Sequence, residues 1–220
     1  MSKRAPSVVL LSGGLDSAAN LAFCAEQDQP ILAITCRYGQ KAADPEGRAA
    51  KALCEHYGIK HEIIDLGWLG ALGGSALTDS SETPPSIETS LLDDAVTTRK
   101  TAKAVWVPNR NGVLINVAAA YAERQGATRV VVGFNREEAA TFPDNSADFL
   151  YRASDSLALS TANGVSVFCY TTQLDKREIV AKLRALPKKF PFELVWSCYT
   201  AGPKACGVCE SCQRLKRALT

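Results

Sequence analysis

Short apolar runs alternate with amphipathic stretches along most of the chain. Ser7 to Leu11 is a run of buried-strand type. It is followed by Leu15, Ala18, Ala19, Ala22 and Phe23 at i, i+3, i+4, i+7 and i+8, the stripe of a helix packed along one side. Ile31 to Cys36 predicts a second strand. Beyond it, Asp44 stands where a helix cap belongs, Pro45 fits a first turn and Gly58 falls just past the last apolar position. The inner face of that helix is Ala50, Leu53, Cys54 and Tyr57. His61 to Leu66 predicts a third strand. From Gly67 to Ala104 the periodicity fades into Gly, Ser, Thr and Pro-Pro, and so long a stretch without clear elements commonly covers or frames a site. The pattern resumes with Val105 to Val107 as a fourth strand. A helix then carries Leu114, Val117, Ala118 and Tyr121 and stops at Gly126, and Arg129 to Gly133 forms a fifth strand. A helix from about Ser146, a strand from Val165 to Cys169, and a last helix complete the series. That helix opens at Asp175, with Glu178 placed for a capping box, and ends before Pro187.

Strand–helix alternation of this kind implies an α/β fold, a parallel sheet covered on both faces. Right-handed crossovers make it a doubly wound parallel sheet, whose ligands bind at the carboxyl ends of the strands. The 220 residues suit one domain of ordinary size with a small appendage, here divided as 1–190 and a C-terminal segment 191–220. With 46% hydrophobic and 22% charged residues the chain is of globular type, which excludes disorder, collagen and coiled coil. A net charge of +2 is too mild to argue for a nucleic-acid partner. No apolar run approaches the roughly 18 residues of a membrane span. Lys3-Arg4 ahead of Val8 to Leu11 has the order of a signal peptide, but the apolar stretch is too short for one. The expected location is cytoplasmic.

Two motifs carry chemistry. Ser12-Gly13-Gly14-Leu15-Asp16-Ser17 lies between the first strand and its helix. Two glycines let backbone N–H groups approach an anion, the helix N-terminus adds partial positive charge, and Ser12 and Ser17 can donate to phosphate oxygens. A plain glycine turn is the bland alternative, and the position directly after the first strand argues against it. The second motif is Cys198, Cys206, Cys209 and Cys212, four of the eight cysteines within fifteen residues. Four thiolates at this spacing favour a closed structural zinc site, with an iron–sulfur cluster or a redox pair as rivals. Cys24, Cys36, Cys54 and Cys169 are scattered and fit the pattern of small buried hydrophobes. Arg214, Lys216 and Arg217 at the chain end are expected to be solvated surface.

The Ser-Gly-Gly-x-Asp-Ser loop resembles the pyrophosphate-binding loop of the ATP pyrophosphatases, which include GMP, argininosuccinate and NAD synthetases. Trp196-Ser197-Cys198-Tyr199 and Cys206-Gly207-x-Cys209-x-Ser211-Cys212 resemble, more narrowly, the zinc segment of the 7-cyano-7-deazaguanine synthase family. Tyr38-Gly39-Gln40, Val107-Pro108-x-Arg110-Asn111 and Gly133-x-Asn135 match that family in order. The resemblance implies an ATP-dependent carbon–nitrogen ligase that converts 7-carboxy-7-deazaguanine and ammonia to the nitrile through adenylated intermediates, with Mg²⁺ on the triphosphate. It also implies a homodimer, small-molecule partners only, and neither membrane nor direct nucleic-acid binding. Residues Leu11, Ser12, Gly13, Gly14, Leu15, Asp16 and Ser17 would hold the nucleotide. Lys176, Arg110 and Asp16 would carry catalysis, although an ordinary surface lysine is nearly as good a reading of Lys176. Tyr38, Gln40, Asn135, Phe142 and Asp144 would hold the acceptor, and Cys198, Cys206, Cys209 and Cys212 the zinc.

The chain departs from the family in places. Glu138-Ala139-Ala140-Thr141-Phe142-Pro143-Asp144-Asn145 stands where Asp-x-Ser-Gly-Tyr-Pro-Asp-Cys is usual. Lys41-Ala42 replaces Arg-His, and Thr171-Thr172 replaces a proline-containing pair. The alternatives are a relative joining a deazaguanine carboxylate to another amine, a tRNA-modifying ATP pyrophosphatase, and a non-catalytic zinc module.

Overall fold

A computed structural model describes residues 4–220, so Lys3 of the signal-like reading lies outside the described residues. The strands are β1 (Pro6–Leu10), β2 (Gln29–Arg37), β3 (His61–Asp65), β4 (Arg129–Val131) and β5 (Ser166–Phe168). The helices are α1 (Leu15–Gln27), α2 (Ala43–Tyr57), α3 (Gly67–Gly70), α4 (Ala95–Ala104), α5 (Arg110–Arg124), α6 (Arg136–Ala139), α7 (Ala147–Ser160), α8 (Lys176–Arg184) and α9 (Glu210–Leu219). All strand pairs are parallel, in the order β3-β2-β1-β4-β5. The expected doubly wound sheet is what forms.

Alternation along each strand explains the two cores. Val8, Leu32, Ile34, Val130 and Val132 face one side, where Ile115, Ala118 and Ala122 of α5 and Leu150 and Leu157 of α7 cover them. Their neighbours Val9, Leu11, Ala33 and Val131 face the other side, covered by α1, by Ala50 and Leu53 of α2 and by Ile179 and Leu183 of α8. Each fully buried leucine or isoleucine contributes about 1.5–3 kcal/mol, so both faces are needed to hold the sheet.

The chain order reverses at β1: β2 follows on one side, and β4 is reached by a long excursion on the other. Loops leaving β1 and β4 therefore diverge at one crevice, the switch point where doubly wound sheets bind ligands. Gly133 permits the closest approach there. A Cβ on it would meet the backbone N of Ser17 at 2.4 Å.

Local signals mostly hold. Gly58 closes α2 in the left-handed conformation (φ 70°), Ser146 caps α7, and Asp175 with Glu178 forms the capping box of α8. Three readings need correction. Asp44 lies inside the first turn of α2, whose cap position is Ala42, and Asp44 instead pairs with Arg37 at 3.0 Å. Val105 to Val107 is not a strand but the turn joining α4 to α5, its apolar residues buried under the site, so β4 is the fourth strand. The region Gly67 to Ala104 contains α3 and α4 as well as loop. Asp94 caps α4 by accepting from the Thr97 N–H. Among the described residues no helix is long and apolar enough to cross a membrane.

Candidate active site

The phosphate loop is tied into one shape by its own side chains. Ser17 Oγ donates to the Gly14 carbonyl (3.0 Å), accepts from the Ser12 N–H (3.2 Å) and sits 3.0 Å from Ser12 Oγ, which accepts from the Gly14 N–H. Gly13 holds φ at 81°, and a Cβ there would strike the Glu46 carbonyl at 2.8 Å. Leu11 and Leu15 are buried in the sheet's helical face and line the same cavity. Ser17 is thus both a loop tie and a cavity residue. Ser17→Ala should leave the fold intact while lowering stability by about 1–3 kcal/mol of buried hydrogen bonding, and raise KM for ATP by about tenfold because the loop is no longer tied in shape. Steady-state turnover with varied ATP checks this, and an unchanged KM would remove Ser17 from the nucleotide site.

Behind the loop lies a buried charge cluster. Lys176, at the first position of α8, reaches Asp16 Oδ2 at 2.6 Å and Glu138 Oε1 at 2.7 Å. The surface reading of Lys176 is therefore wrong; the residue is 5% exposed. Burial alone would pull its pKa down, but Asp16 and Glu138 outweigh burial and hold it above the ordinary lysine range. Burial lifts the Asp16 carboxyl while Lys176 opposes it, and Asp16 Oδ1 is buried with no partner. Glu138 is pushed up by burial and pulled further down by Lys176, so it stays ionised. The longer carboxylate in the departing segment thus shares Lys176 with Asp16.

The acceptor residues are spread more widely than expected. Tyr38 and Arg110 meet across the cavity: Arg110 donates to Tyr38 Oη at 3.3 Å, and its guanidinium lies 5.7 Å from the ring centre. Arg110 opens α5 rather than ending a strand. The preceding Asn109 takes φ 49°, with Gly112 leaving room for its side chain. Phe142 lines the cavity and lies parallel to Trp106, 7° between planes and 6.2 Å between centres. Gln40 also lines it, yet its amide is occupied. It accepts from the Tyr38 N–H (2.8 Å) and donates to the Cys36 carbonyl and to Glu46 Oε2. Asn135 is fully buried behind the wall, where it caps α6 by accepting from the Glu138 N–H, and its Nδ2 has no partner. Asp144 is half-buried beside Arg110. Burial raises its carboxyl pKa against the pull of that guanidinium, and its backbone carbonyl accepts from Asn111.

Two further departures have structural jobs. Lys41 donates to the carbonyls of Ala76 (2.9 Å), Glu82 (2.6 Å) and Asp79, pinning the long segment over the site. Thr171 accepts from Asn20 and donates to the Phe134 carbonyl, joining the segment after β5 to α1 and to the segment after β4.

The C-terminal segment supplies one wall. The Trp196 N–H donates to the Gly13 carbonyl (2.9 Å), and Ser197 Oγ accepts from the Leu15 N–H at the start of α1 (3.3 Å). Tyr199, Glu210 and Arg214 line the same cavity. Arg214 is buried, not solvated: it pairs with Glu210 and Glu137, while Arg217 pairs with Glu137 and Asp93. The ligand atoms of Cys198, Cys206, Cys209 and Cys212 all lie within 4.8 Å of one another. The N–H groups of Cys206 and Thr200 point at Cys198 Sγ, and that of Cys209 points at Cys206 Sγ. Burial works against ionisation of Cys206, but surrounding N–H and thiol donors outweigh it and bring the thiol down to about 6. Such a donor set fits a metal bound by thiolates.

Sequence reasoning missed α9, whose apolar stripe is hidden under cysteines and basic residues, and it missed Glu46. Glu46 stands in the first turn of α2, where an acidic residue ordinarily means only a favourable dipole contact.

A glycine loop at the switch point of a doubly wound parallel sheet, with a four-cysteine segment packed against it, defines an α/β protein with a candidate anion-binding site. The model of the family described as queuosine biosynthesis protein QueC matches residues 6–220. The 7-cyano-7-deazaguanine synthase of Desulforudis audaxviator is 54% identical over 211 residues, covering 96% of this chain and 94% of its own. The proteins of the same name from Desulforamulus reducens and Bdellovibrio bacteriovorus are 50% identical over 212 residues (96% and 92% covered) and 48% identical over 219 residues (99% and 94% covered). The chain belongs to the QueC family and is an enzyme.

Proposed function

We propose that this enzyme uses ATP to adenylate the carboxylate of 7-carboxy-7-deazaguanine, accepts ammonia at the activated carbonyl, and forms 7-cyano-7-deazaguanine in a second ATP-dependent step. The carrying observation is a single cavity with two unlike ends. One end is the phosphate loop with Lys176 behind it, and the other holds Tyr38, Arg110 and Phe142. The name and high identity of the relatives support the same reading.

The loop N–H groups and the α1 N-terminus would hold the β- and γ-phosphates. Asp16 Oδ1, buried without a partner, fits a Mg²⁺ ion carried on the triphosphate, which would neutralise charge as pyrophosphate leaves. Lys176 keeps Asp16 oriented and adds positive potential beside the loop. Phe142 offers a face for the flat base. Arg110, which lines the cavity, would meet the carboxylate, and Asp144, which lies beside Arg110 but outside the cavity lining, would have to turn inward to accept from the donor edge of the 2-amino-6-oxo ring. Cys198, Cys206, Cys209 and Cys212 would bind a structural zinc that fixes the 191–220 segment against the 1–190 domain. A cytoplasmic homodimer completes the proposal.

The altered loop put the identity of the acceptor acid in question. Glu138 is engaged by Lys176 and Phe142 keeps its ring in the cavity, so those changes do not call for a different acceptor. The test is pyrophosphate release from ATP. It should depend on added 7-carboxy-7-deazaguanine, and release indifferent to that acid would sink the reading.

A further inference from the structure

Four carboxylates line the cavity: Asp16, Glu46, Glu138 and Glu210. Three are committed to cations, Asp16 and Glu138 to Lys176 and Glu210 to Arg214. Among the described residues Glu46 is in no ion pair. Gln40 Nε2 donates to its Oε2 at 2.9 Å, and no hydrogen bond engages Oε1. Its backbone carbonyl packs on Gly13 of the phosphate loop, and its side chain lines the cavity within electrostatic reach of Tyr38 and Arg110. A carboxylate held by a neutral amide and lining the cavity is free to take a cation or a proton from a small substrate.

The proposed reaction gains from such a group. Amines are largely protonated near neutral pH, and a protonated nitrogen has no lone pair with which to attack. We propose that Glu46 is the catalytic residue that binds ammonium in this cavity and removes the proton that frees its lone pair. The inference rests on the amidation reading given above and adds the residue and the form of the nitrogen substrate. The Glu46 carboxylate takes one proton from NH₄⁺. The freed lone pair forms the C–N bond at the adenylated carbonyl, the C–O bond to AMP breaks, and AMP leaves with the electron pair. The nitrogen sheds a second proton to water, and Glu46 returns its own to solvent.

The environment suits a base working near neutrality. Burial raises the Glu46 carboxyl to about 7, against the opposing influence of Gln40 and Arg110. The titratable groups facing it are Arg110 at the start of α5 and Tyr38 just past β2, with Cys36 of β2 lining the same cavity beside Tyr38. Burial raises the Tyr38 and Cys36 pKa values, to about 11 for Cys36, so both stay neutral over this range. Asp16, Glu138 and Glu210, each tied to a fixed cation, are poorer acceptors for a mobile one.

The test uses the full chain with ATP, 7-carboxy-7-deazaguanine and ammonium chloride, comparing wild type, Glu46→Gln and Glu46→Asp. Glu46→Gln should lower kcat/KM for ammonium on the order of 10²-fold, with acid-dependent ATP–pyrophosphate exchange staying within about threefold. Wild-type kcat/KM for total ammonium should rise to a plateau above about pH 7. That of Glu46→Gln should keep rising about tenfold per pH unit, tracking free ammonia. Glu46→Asp should restore part of the rate and the plateau. Ionising a buried carboxylate costs stability as pH rises through its raised value, so Glu46→Gln should melt no lower than wild type above pH 7. Equal ammonium kinetics in Glu46→Gln and wild type would overturn the proposal. So would an equal loss of exchange, which would place Glu46 in adenylation or in folding. A wild type that forms neither amide nor nitrile would overturn the parent reading, and this one with it, by a result visible before any variant is compared.

Discussion

Replacing Lys176 by methionine is expected to destabilise the protein by about 3–5 kcal/mol and to abolish measurable pyrophosphate release. The stability loss follows from what is left behind. Asp16 and Glu138 both lean on one buried ammonium, at 2.6 and 2.7 Å, and removing it leaves two carboxylates facing each other out of water. The activity loss follows from position. Asp16 belongs to the phosphate loop, and without Lys176 both its orientation and the positive potential beside the loop are lost, for a fall of about 10³-fold or more. The pH dependence has a definite sign. In the variant the paired carboxylates have raised pKa values, so protonation relieves their repulsion and the gap to wild type narrows as pH falls toward about 5. Melting curves across pH check this. A variant as stable as wild type at pH 8 would mean that the triad is not the buried unit described.

The second large effect concerns the cysteine knuckle. Cys209→Ser should release the metal, lower stability by several kcal/mol and eliminate turnover, while Cys24→Ser and Cys54→Ser leave metal content at about one zinc per chain. Loss of activity is expected because the knuckle is part of the site. The residues leading into it, Trp196 and Ser197, hold the phosphate loop at Gly13 and Leu15, and the helix leaving it carries Glu210 and Arg214 into the cavity. The same helix is anchored to α4 by Thr101, which donates to Glu210 Oε2 at 2.5 Å. Metal analysis of freshly purified protein, with melting curves for the variants, decides the matter. Iron in place of zinc would overturn the assignment.

Strands with strong alternation, helices with clear caps and the loop after β1 were readable because each depends on local chemistry. Gly58 needs a left-handed residue, Asp175 and Glu178 complete each other three residues apart, and Gly13 must admit a neighbouring carbonyl. What was not readable depends on partners far along the chain. Lys176 and Arg214 look like surface residues until Asp16, Glu138 and Glu137 are brought to them from other elements. Val105 to Val107 is apolar for a tertiary reason, burial beneath the site, and β-branched residues buried in a turn imitate a strand. Asn135 and Gln40 follow family motifs, yet the structure uses one to cap a helix and the other to build a turn. Glu46 gave no sequence signal because its meaning lies in its having a neutral amide, and no ion pair among the described residues, as its partner.

Mass spectrometry of the product made from 7-carboxy-7-deazaguanine, ATP and heavy-nitrogen ammonium decides whether this enzyme makes the nitrile. The expected product carries the labelled nitrogen and is lighter than the amide by one water, with AMP and pyrophosphate released alongside. An unlabelled product, or an acid recovered unchanged while ATP is consumed, would contradict the proposed function.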